Sequence, residues 1–211
     1  MPGPQKLVGK YSRIAQKMMR RITTVLEDYD IPYILEAGTL LGVVRENRLL
    51  PWDDDVDITI TKKYARRLLS SIRKIKKYGY KVRVKSYKKD LKYFKKGELR
   101  MLKVKHFTLP FFQSDVQVDI FVKKLIGEEY YWTVGVHKPV LKSVPKRFYE
   151  NLTRIKFKNK YYSVPKDYEG YLTEHYGDWN KVIKDWNFKF DDRSVKEKLY
   201  KVDDIAEKED F

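Results

Sequence analysis

Residues 36–58 read EAGTLLGVVRENRLLPWDDDVDI, and this stretch carries the strongest prediction of the fold. From Asp55 to Ile60 acidic or polar side chains alternate with apolar ones, which predicts a β-strand with carboxylates along one face. The apolar residues Tyr33–Leu35 are too few for a helix and predict a short buried strand. Between the two strands, Gly38 and Thr39 are expected to form a turn, followed by a short helix over residues 40–45.

Asp55 and Asp57 are candidate metal ligands. They stand two residues apart on an extended segment, so their side chains share one face about 6 to 7 Å apart, and one cation can bridge them. The later segment VQVDIFV, residues 116–122, alternates again and adds Asp119. If the two strands are neighbours, three carboxylates converge, and such oxygen ligands favour Mg²⁺, with Mn²⁺ as the alternative. Taken alone, an Asp-x-Asp pair is explained equally well by a turn or a solvated strand end.

Gly38 and Thr39 are candidate substrate-binding residues. Glycine allows a close approach of the backbone, and a hydroxyl with free backbone N–H groups can hold a phosphate.

The remaining patterns place helices and strands around these residues. Apolar spacing predicts helices over residues 11–26, 64–75 and 165–175, and alternation predicts strands over residues 80–86, 99–107 and 115–122. Residues 191–211 fit either a docked helix or a frayed tail. We therefore expect an α+β fold with a mixed sheet flanked by helices. Residues 1–160 would form the catalytic core, and residues 161–211 a small helical C-terminal annex with a charged tail, as one structural unit.

Cysteine content and charge narrow the possible chemistry and partners. Cysteine is absent, which excludes disulfides, zinc ribbons and thiol nucleophiles. Residues 62–105 hold 19 Lys and Arg against Asp90 and Glu98, so this segment accounts for the whole formal charge of +17. Such a region suits nucleotides, phosphorylated glycans, a membrane surface or nucleic acid, and equally a solvated lysine-rich face. Neither a signal peptide nor an apolar run of about 20 residues is visible, so a cytoplasmic protein without a transmembrane segment is expected.

Three blocks of the sequence resemble the LicD family, which includes bacterial phosphocholine transferases and fukutin-related proteins within the nucleotidyltransferase superfamily. The blocks are residues 36–58, residues 116–122, and VPKDYEGYLTEHYGDW at residues 164–179, and they occur in family order. The resemblance implies a nucleotidyltransferase-like fold in which Asp55 and Asp57 bind the metal. It also implies that Asp119 completes the site as ligand or general base, and that Gly38 and Thr39 position the donor phosphates. Arg45, the third candidate substrate-binding residue, would neutralise a phosphate with its planar donor fork, although an exposed surface arginine is the alternative interpretation.

The resemblance further implies a LicD-like phosphotransferase. Its expected reaction moves phosphocholine, ribitol phosphate or glycerol phosphate from a CDP-linked donor to a hydroxyl of a glycan such as lipopolysaccharide, and releases CMP. Two alternatives stay open. One is a nucleotidyltransferase that moves NMP from an NTP to RNA, protein or a small acceptor, and the other is a non-catalytic polyanion-binding module. The carboxylates argue against nucleic acid as the partner, because they repel phosphate unless a cation is bound.

Overall fold

The structure, a computed structural model, describes residues 6–106, 116–135, 137–184 and 186–200. It has a mixed α+β architecture in which helices flank a mixed sheet. The helices are α1 (Gly9–Asp28), α2 (Ala37–Glu46), α3 (Ala65–Lys77), α4 (Arg147–Glu150) and α5 (Tyr168–Tyr176). The strands are β1 (Ile34–Leu35), β2 (Asp55–Thr61), β3 (Tyr80–Ser86), β4 (Leu99–His106), β5 (Gln117–Ile126), β6 (Glu129–Val134), β7 (Val140–Pro145), β8 (Leu152–Phe157), β9 (Lys160–Pro165) and β10 (Val195–Lys198).

The central sheet is mixed because β2 and β5 run parallel, whereas its other described strand pairs are antiparallel. Its order is β1-β2-β5-β6-β7-β10. In addition, β4 pairs with β5 on the side away from β2, and β3 pairs with β4. The first half of β5 pairs with β2 and β4, and its last three residues pair with β6. The hairpin of β8 and β9 forms a separate two-stranded sheet.

The two faces of the parallel pair have different chemistry. One face packs against α1 and α3, and burying each aliphatic side chain there contributes about 1.5–3 kcal/mol. Because side chains alternate along a strand, the acidic residues of β2 and β5 lie on the opposite face. The buried aliphatic residues of the pair are Val56, Ile58, Ile60, Val118, Ile120 and Val122.

Most of the predicted elements are confirmed. The helices predicted over residues 11–26, 40–45, 64–75 and 165–175 correspond to α1, α2, α3 and α5, and the predicted strands correspond to β1 through β5. Phe107 and Asp115, at the ends of two predicted strands, lie outside the described residues. The turn predicted at Gly38 and Thr39 is wrong, because α2 begins at Ala37 and both residues lie in its first turn.

The C-terminal region differs from the prediction in its second half. The helix considered for residues 191–211 is not found among the described residues, since Val195–Lys198 forms β10 beside β7. Residues 201–211 lie outside the described part. The expected boundary after residue 160 falls within the β8–β9 hairpin, so backbone hydrogen bonds connect the core to the annex. In the part of the chain that is described, no helix is both long and apolar enough to cross a membrane.

Ala37, at the start of α2, has a left-handed backbone with a φ of 46°. An L side chain in this region costs roughly 1–2 kcal/mol, whereas glycine adopts it freely. The strained residue directly follows Glu36, which is 3% exposed, so the backbone is fixed there by its surroundings.

We expect Ala37→Gly to leave the free energy of unfolding unchanged or raise it by up to about 1 kcal/mol, because strain relief offsets the entropy cost of glycine. Urea unfolding followed by circular dichroism measures the change. Ala65→Gly is the matched control, since Ala65 has an ordinary helical φ of −56°. It should lose about 0.5–1 kcal/mol. Equal losses in the two variants would contradict strain at Ala37.

Candidate active site

The three carboxylates that were predicted to meet are neighbours in the structure. Asp57 lies directly opposite Asp119 in the parallel pair, and Asp55 lies opposite Gln117 one position along the same face. Asp55, Asp57 and Asp119 each contribute a carboxylate oxygen, and these oxygens lie within 4.8 Å of one another. The predicted convergence on one face of the sheet is therefore confirmed.

Burial and mutual repulsion make these acids hard to ionise together. Burial, followed by repulsion from Asp53 and Asp119, raises the pKa of Asp55 to about 7. Burial, followed by repulsion from Asp55 and Asp119, raises the pKa of Asp57 well above its ordinary value. Burial also raises the pKa of Asp119, although Lys103 opposes the shift with its Nζ 2.7 Å from Asp119 Oδ2. A bound cation would remove the repulsion.

The donor set fits a hard divalent cation. Carboxylate oxygens are the ligands that Mg²⁺ and Mn²⁺ prefer. Asp119 Oδ1 is buried and has no hydrogen-bond partner among the described residues, an arrangement that costs about 1–3 kcal/mol or more for a charged group. Asp53, Asp54 and Asp55 form a second group whose oxygens also lie within 4.8 Å of one another. The residues of this site can therefore hold one or more divalent ions.

A cavity of about 530 Å³ opens in front of the acids. Its floor is the polar face of the sheet, and its walls come from α2, α5 and the segment that follows α5. Positive side chains at its border include Arg100, Lys103 and Lys142. Aromatic residues line much of the remaining surface, and they are Trp52, Trp132, Tyr176, Trp179, Trp186 and Phe188. The cavity thus combines an acidic floor that can hold a divalent ion with walls that can stack on a ring or surround an organic cation.

Gly38 and Thr39 lie beside the acids but make different contacts. Thr39 is buried, and its Oγ1 accepts a hydrogen bond of 2.9 Å from the backbone N–H of Asp57. Gly38 lines the cavity, and a Cβ at this position would come within 2.3 Å of Asp53 Oδ2. The Thr39 hydroxyl therefore fixes the acidic strand to α2, and Gly38 makes room for Asp53. Phosphate binding by these two residues stays a prediction.

Arg45 connects α2 to the segment after α5. Its Nη1 donates hydrogen bonds to the carbonyls of Trp179 at 2.9 Å and Lys181 at 3.2 Å, and its Nε and Nη2 contact Glu46. The side chain is 10% exposed, so the alternative of an exposed surface arginine is wrong. Most of its donors are occupied, which gives Arg45 a positioning role at the cavity wall. Its contact with a phosphate stays a prediction.

Sequence reasoning missed a buried ion network behind the cavity. Lys123 is fully buried, and its Nζ donates to Glu36 Oε1 at 2.7 Å and to Tyr149 Oη at 2.6 Å. Tyr171 donates to the same Glu36 oxygen, and the Lys123 ammonium lies 3.3 Å from the ring centre of Trp132. Burial lowers the pKa of Lys123 to about 8. Burial acts to raise the pKa of Glu36, but Lys123 acts in the opposite direction and the net shift of this pKa is downward. Both residues are therefore charged at neutral pH.

The network continues through His175 to the C-terminal segment. His175 Nδ1 lies 3.1 Å from Asp192 Oδ1, and His175 Nε2 lies 4.0 Å from Glu36 Oε1. Lys142 donates to Asp192 Oδ2 at 2.6 Å, and the backbone N–H of Ser194 donates to Asp192 Oδ1 at 2.9 Å. These contacts hold α5 and residues 192–194 against β7 and the start of α2. The sequence signal was weak, because the partners lie far apart along the chain. Lys123 and Asp192 also have neighbours of the same charge, Lys124 and Asp191, so nothing local marks them as buried.

Comparison with known proteins now assigns the family. The model of the LicD/FKTN/FKRP, nucleotidyltransferase domain family matches residues 30–167, more than half of the chain. This chain belongs to the LicD/FKTN/FKRP family. The matched range contains β1 through β9 and the clustered acids Asp55, Asp57 and Asp119, and it ends before α5.

Individual relatives cover different parts of the chain. The uncharacterized protein RP689 of Rickettsia prowazekii is 25% identical over 176 residues, which are 83% of this chain and 59% of that protein. The lipopolysaccharide cholinephosphotransferase LicD of Haemophilus influenzae is 50% identical over 32 residues, 15% of this chain and 12% of its own. Human ribitol 5-phosphate transferase FKRP is 42% identical over 48 residues, 23% of this chain and 10% of its own. The chain spans less than two thirds of the length of each of these relatives.

Among solved structures, the chain was aligned with that of ANT(2")-Ia in complex with adenylyl-2"-tobramycin. It aligns with a TM-score of 0.34 and 15% identity, over 54% of this chain and 52% of that one.

Lys123→Met should lower the free energy of unfolding by about 3–5 kcal/mol, because it leaves the charge of Glu36 buried without its partner. The double variant Lys123→Met/Glu36→Gln removes both charges and should recover part of that loss. Lys124→Met is the control, since Lys124 is partly exposed and pairs with Glu98 at 3.5 Å. It should cost about 1 kcal/mol or less. Urea unfolding of the wild-type protein and the three variants measures these changes. Similar losses of unfolding free energy in Lys123→Met and Lys124→Met would contradict the importance of the network.

Proposed function

We propose that this family member is a Mg²⁺-dependent phosphotransferase that moves a phospho-alcohol from a CDP-linked donor to a glycan hydroxyl and releases CMP. The observation that carries the proposal is the meeting of Asp55, Asp57 and Asp119 at a cavity, with Asp119 Oδ1 unpartnered among the described residues. Family membership supports it, because relatives include a cholinephosphotransferase and a ribitol 5-phosphate transferase.

Different residues of the site would bind the ion, contact a donor phosphate and hold the acidic strand in position. Asp55, Asp57 and Asp119 would hold Mg²⁺ or Mn²⁺, which supplies charge neutralisation for the donor phosphates. Lys103 borders the same site and can neutralise a further phosphate oxygen. Thr39 holds β2 in position through the Asp57 backbone N–H, so the acids keep their spacing when the donor enters.

The proposed transfer is a single displacement at phosphorus. The hydroxyl oxygen of the glycan forms a bond to the phosphorus that carries the alcohol. The bond from that phosphorus to the bridging oxygen breaks, and CMP leaves with the electron pair. The hydroxyl proton goes to a carboxylate. If Asp55 and Asp57 hold the cation without Asp119, then Asp119 is our candidate, because its Oδ1 faces no hydrogen-bond partner among the described residues.

The aromatic walls support choline as the head group of the donor. Aromatic faces attract quaternary ammonium groups, and the neutral polyols ribitol and glycerol gain nothing comparable. Tyr176 and Trp186 lie with their ring centres 4.9 Å apart at the cavity wall, and Trp179 lines the same wall. Lys123 lies over the Trp132 ring, Lys184 lies over Trp52, and Lys142 and Lys189 lie over Phe188. We therefore assign the head group to Tyr176, Trp179 and Trp186.

Asp57→Asn and Asp119→Asn should each lower turnover at least about 100-fold, because each removes charge that the cation needs. The measurement is CMP release from CDP-choline, CDP-ribitol and CDP-glycerol with a glycan acceptor, alongside pyrophosphate release from NTPs. Asp28→Asn is the control, since Asp28 pairs with Lys74 at the surface. Activity in both site variants would exclude the scheme, and pyrophosphate release without CMP release would support the nucleotidyltransferase alternative.

Metal binding can be tested without turnover. At a concentration of 100 times its Kd, Mn²⁺ should stabilise the wild-type protein by about 2.7 kcal/mol. For a domain of this size the melting temperature should then rise by roughly 5–10 °C. Asp57→Asn should melt higher than wild type in EDTA, because repulsion is relieved, and should lose most of the Mn²⁺ response. A full Mn²⁺ response in Asp57→Asn would place the ion elsewhere.

A further inference from the structure

The acidic site is one end of a charged row that crosses the sheet. Asp57 pairs with Asp119, Asp119 pairs with Lys103, and Lys103 pairs with Arg83. Four neighbouring strands therefore present two carboxylates and then two cations on the same face of the sheet.

The rows on either side of this one also end in a cation on β3, which is a lysine in both. One row consists of Asp55, Gln117, Lys105 and Lys81, and the other row consists of Thr59, Phe121, Met101 and Lys85. We call the cations of β4 and β3 on this face the basic track, which consists of Lys81, Arg83, Lys85, Lys103 and Lys105.

The basic track starts inside the cavity and leads out of it. Lys103 lines the cavity next to Asp119, whereas Arg83 and Lys85 are exposed on β3, beyond the cavity. Neighbouring strands lie about 4.8 Å apart, so the backbone of Arg83 lies about 14 Å from that of Asp57. An extended ligand can therefore lie along the track with one end at the carboxylates.

The placement of these cations is unfavourable for the sheet by itself. Lys103 is directly opposite Arg83, and like charges in directly opposed positions destabilise a sheet. Arg83 and Lys85 have no carboxylate partner within the described ranges, whereas Lys74 of the same basic segment pairs with Asp28. An anionic ligand on this face would remove the repulsion.

We propose that the basic track binds the acceptor and that the acceptor is an anionic glycan, which carries phosphate or carboxylate groups near the accepting hydroxyl. The inference rests on the proposed function, because the acceptor is one of its two substrates. The donor occupies the cavity, and the track approaches the same carboxylates from the side of β4 and β3. Transfer requires the two substrates to meet there.

A glycan fits the track better than a single-stranded nucleic acid does. Sites for single strands combine basic grooves with aromatic rings on which the bases stack. On the track side of β3 the side chains are Lys81, Arg83 and Lys85, with no ring among them. The aromatic residues line the cavity instead, where the donor binds.

The experiment measures binding separately from turnover. Fluorescence anisotropy follows a labelled phosphomannan oligosaccharide, the same oligosaccharide after dephosphorylation, and single-stranded DNA of equal charge. The variant Arg83→Gln/Lys85→Gln removes two charges from the track. The variant Arg73→Gln/Lys76→Gln removes two charges from exposed positions of α3, which packs on the opposite face of the sheet.

The wild-type protein should bind the phosphorylated oligosaccharide at least about tenfold more tightly than the dephosphorylated one. The track variant should bind about tenfold more weakly. The slope of log Kd against log salt concentration should be smaller by about two in this variant. The α3 variant should change less than about twofold. Equal losses in both variants, no preference for phosphate, or tighter binding of the DNA through Arg83 and Lys85 would overturn the proposal.

Failure of the proposed function can be distinguished from failure of the track. Asp57→Asn should keep phosphomannan binding while it loses CMP release. If no CDP-alcohol yields CMP but binding still depends on Arg83 and Lys85, the transfer reaction is wrong and the anionic site stands. If CMP is released and the track variant binds phosphomannan as tightly as the wild-type protein, the track proposal alone is wrong.

Discussion

The parallel pairing of β2 with β5, in a single register, is the constraint on which the site depends. A slip of one residue would turn Asp119 toward α1 and α3 and put an aliphatic side chain beside Asp57. Burying a carboxylate in that apolar layer costs far more than burying Val118 or Ile120. The hydrophobic pattern that folds the sheet therefore also keeps mutually repelling acids together.

The stability that opposes this repulsion comes from outside the cluster. The aliphatic face of the sheet supplies most of it. The Thr39 hydroxyl fixes β2 at the backbone of Asp57, and the Lys123–Glu36 ion pair fixes the start of α2. His175 and Asp192 extend these contacts to the C-terminal segment, which forms a wall of the cavity. The site is thus held by neighbours that do not need to contact the substrate.

The acidic strands could be predicted from sequence because alternation is a local property. Alternation assigns Asp57 and Asp119 to a strand face, but which strands become neighbours depends on contacts across the whole sheet. The strand β7 could not be predicted in this way, since its Lys142 and Ser143 are both buried and leave no alternating pattern. Their burial depends on Asp192 and on Glu129. A polar residue whose partner lies far along the chain gives no local signal of burial.

Arg45 holds the wall of the cavity through the carbonyls of Trp179 and Lys181, and every amino acid has such a carbonyl. Exchange of the side chains along this wall therefore leaves its anchor intact. The clustered carboxylates belong to β2 and β5 and do not move with this wall. A protein built in this way can acquire a new ligand preference by a few replacements at the wall, while the acidic cluster on the sheet is inherited unchanged.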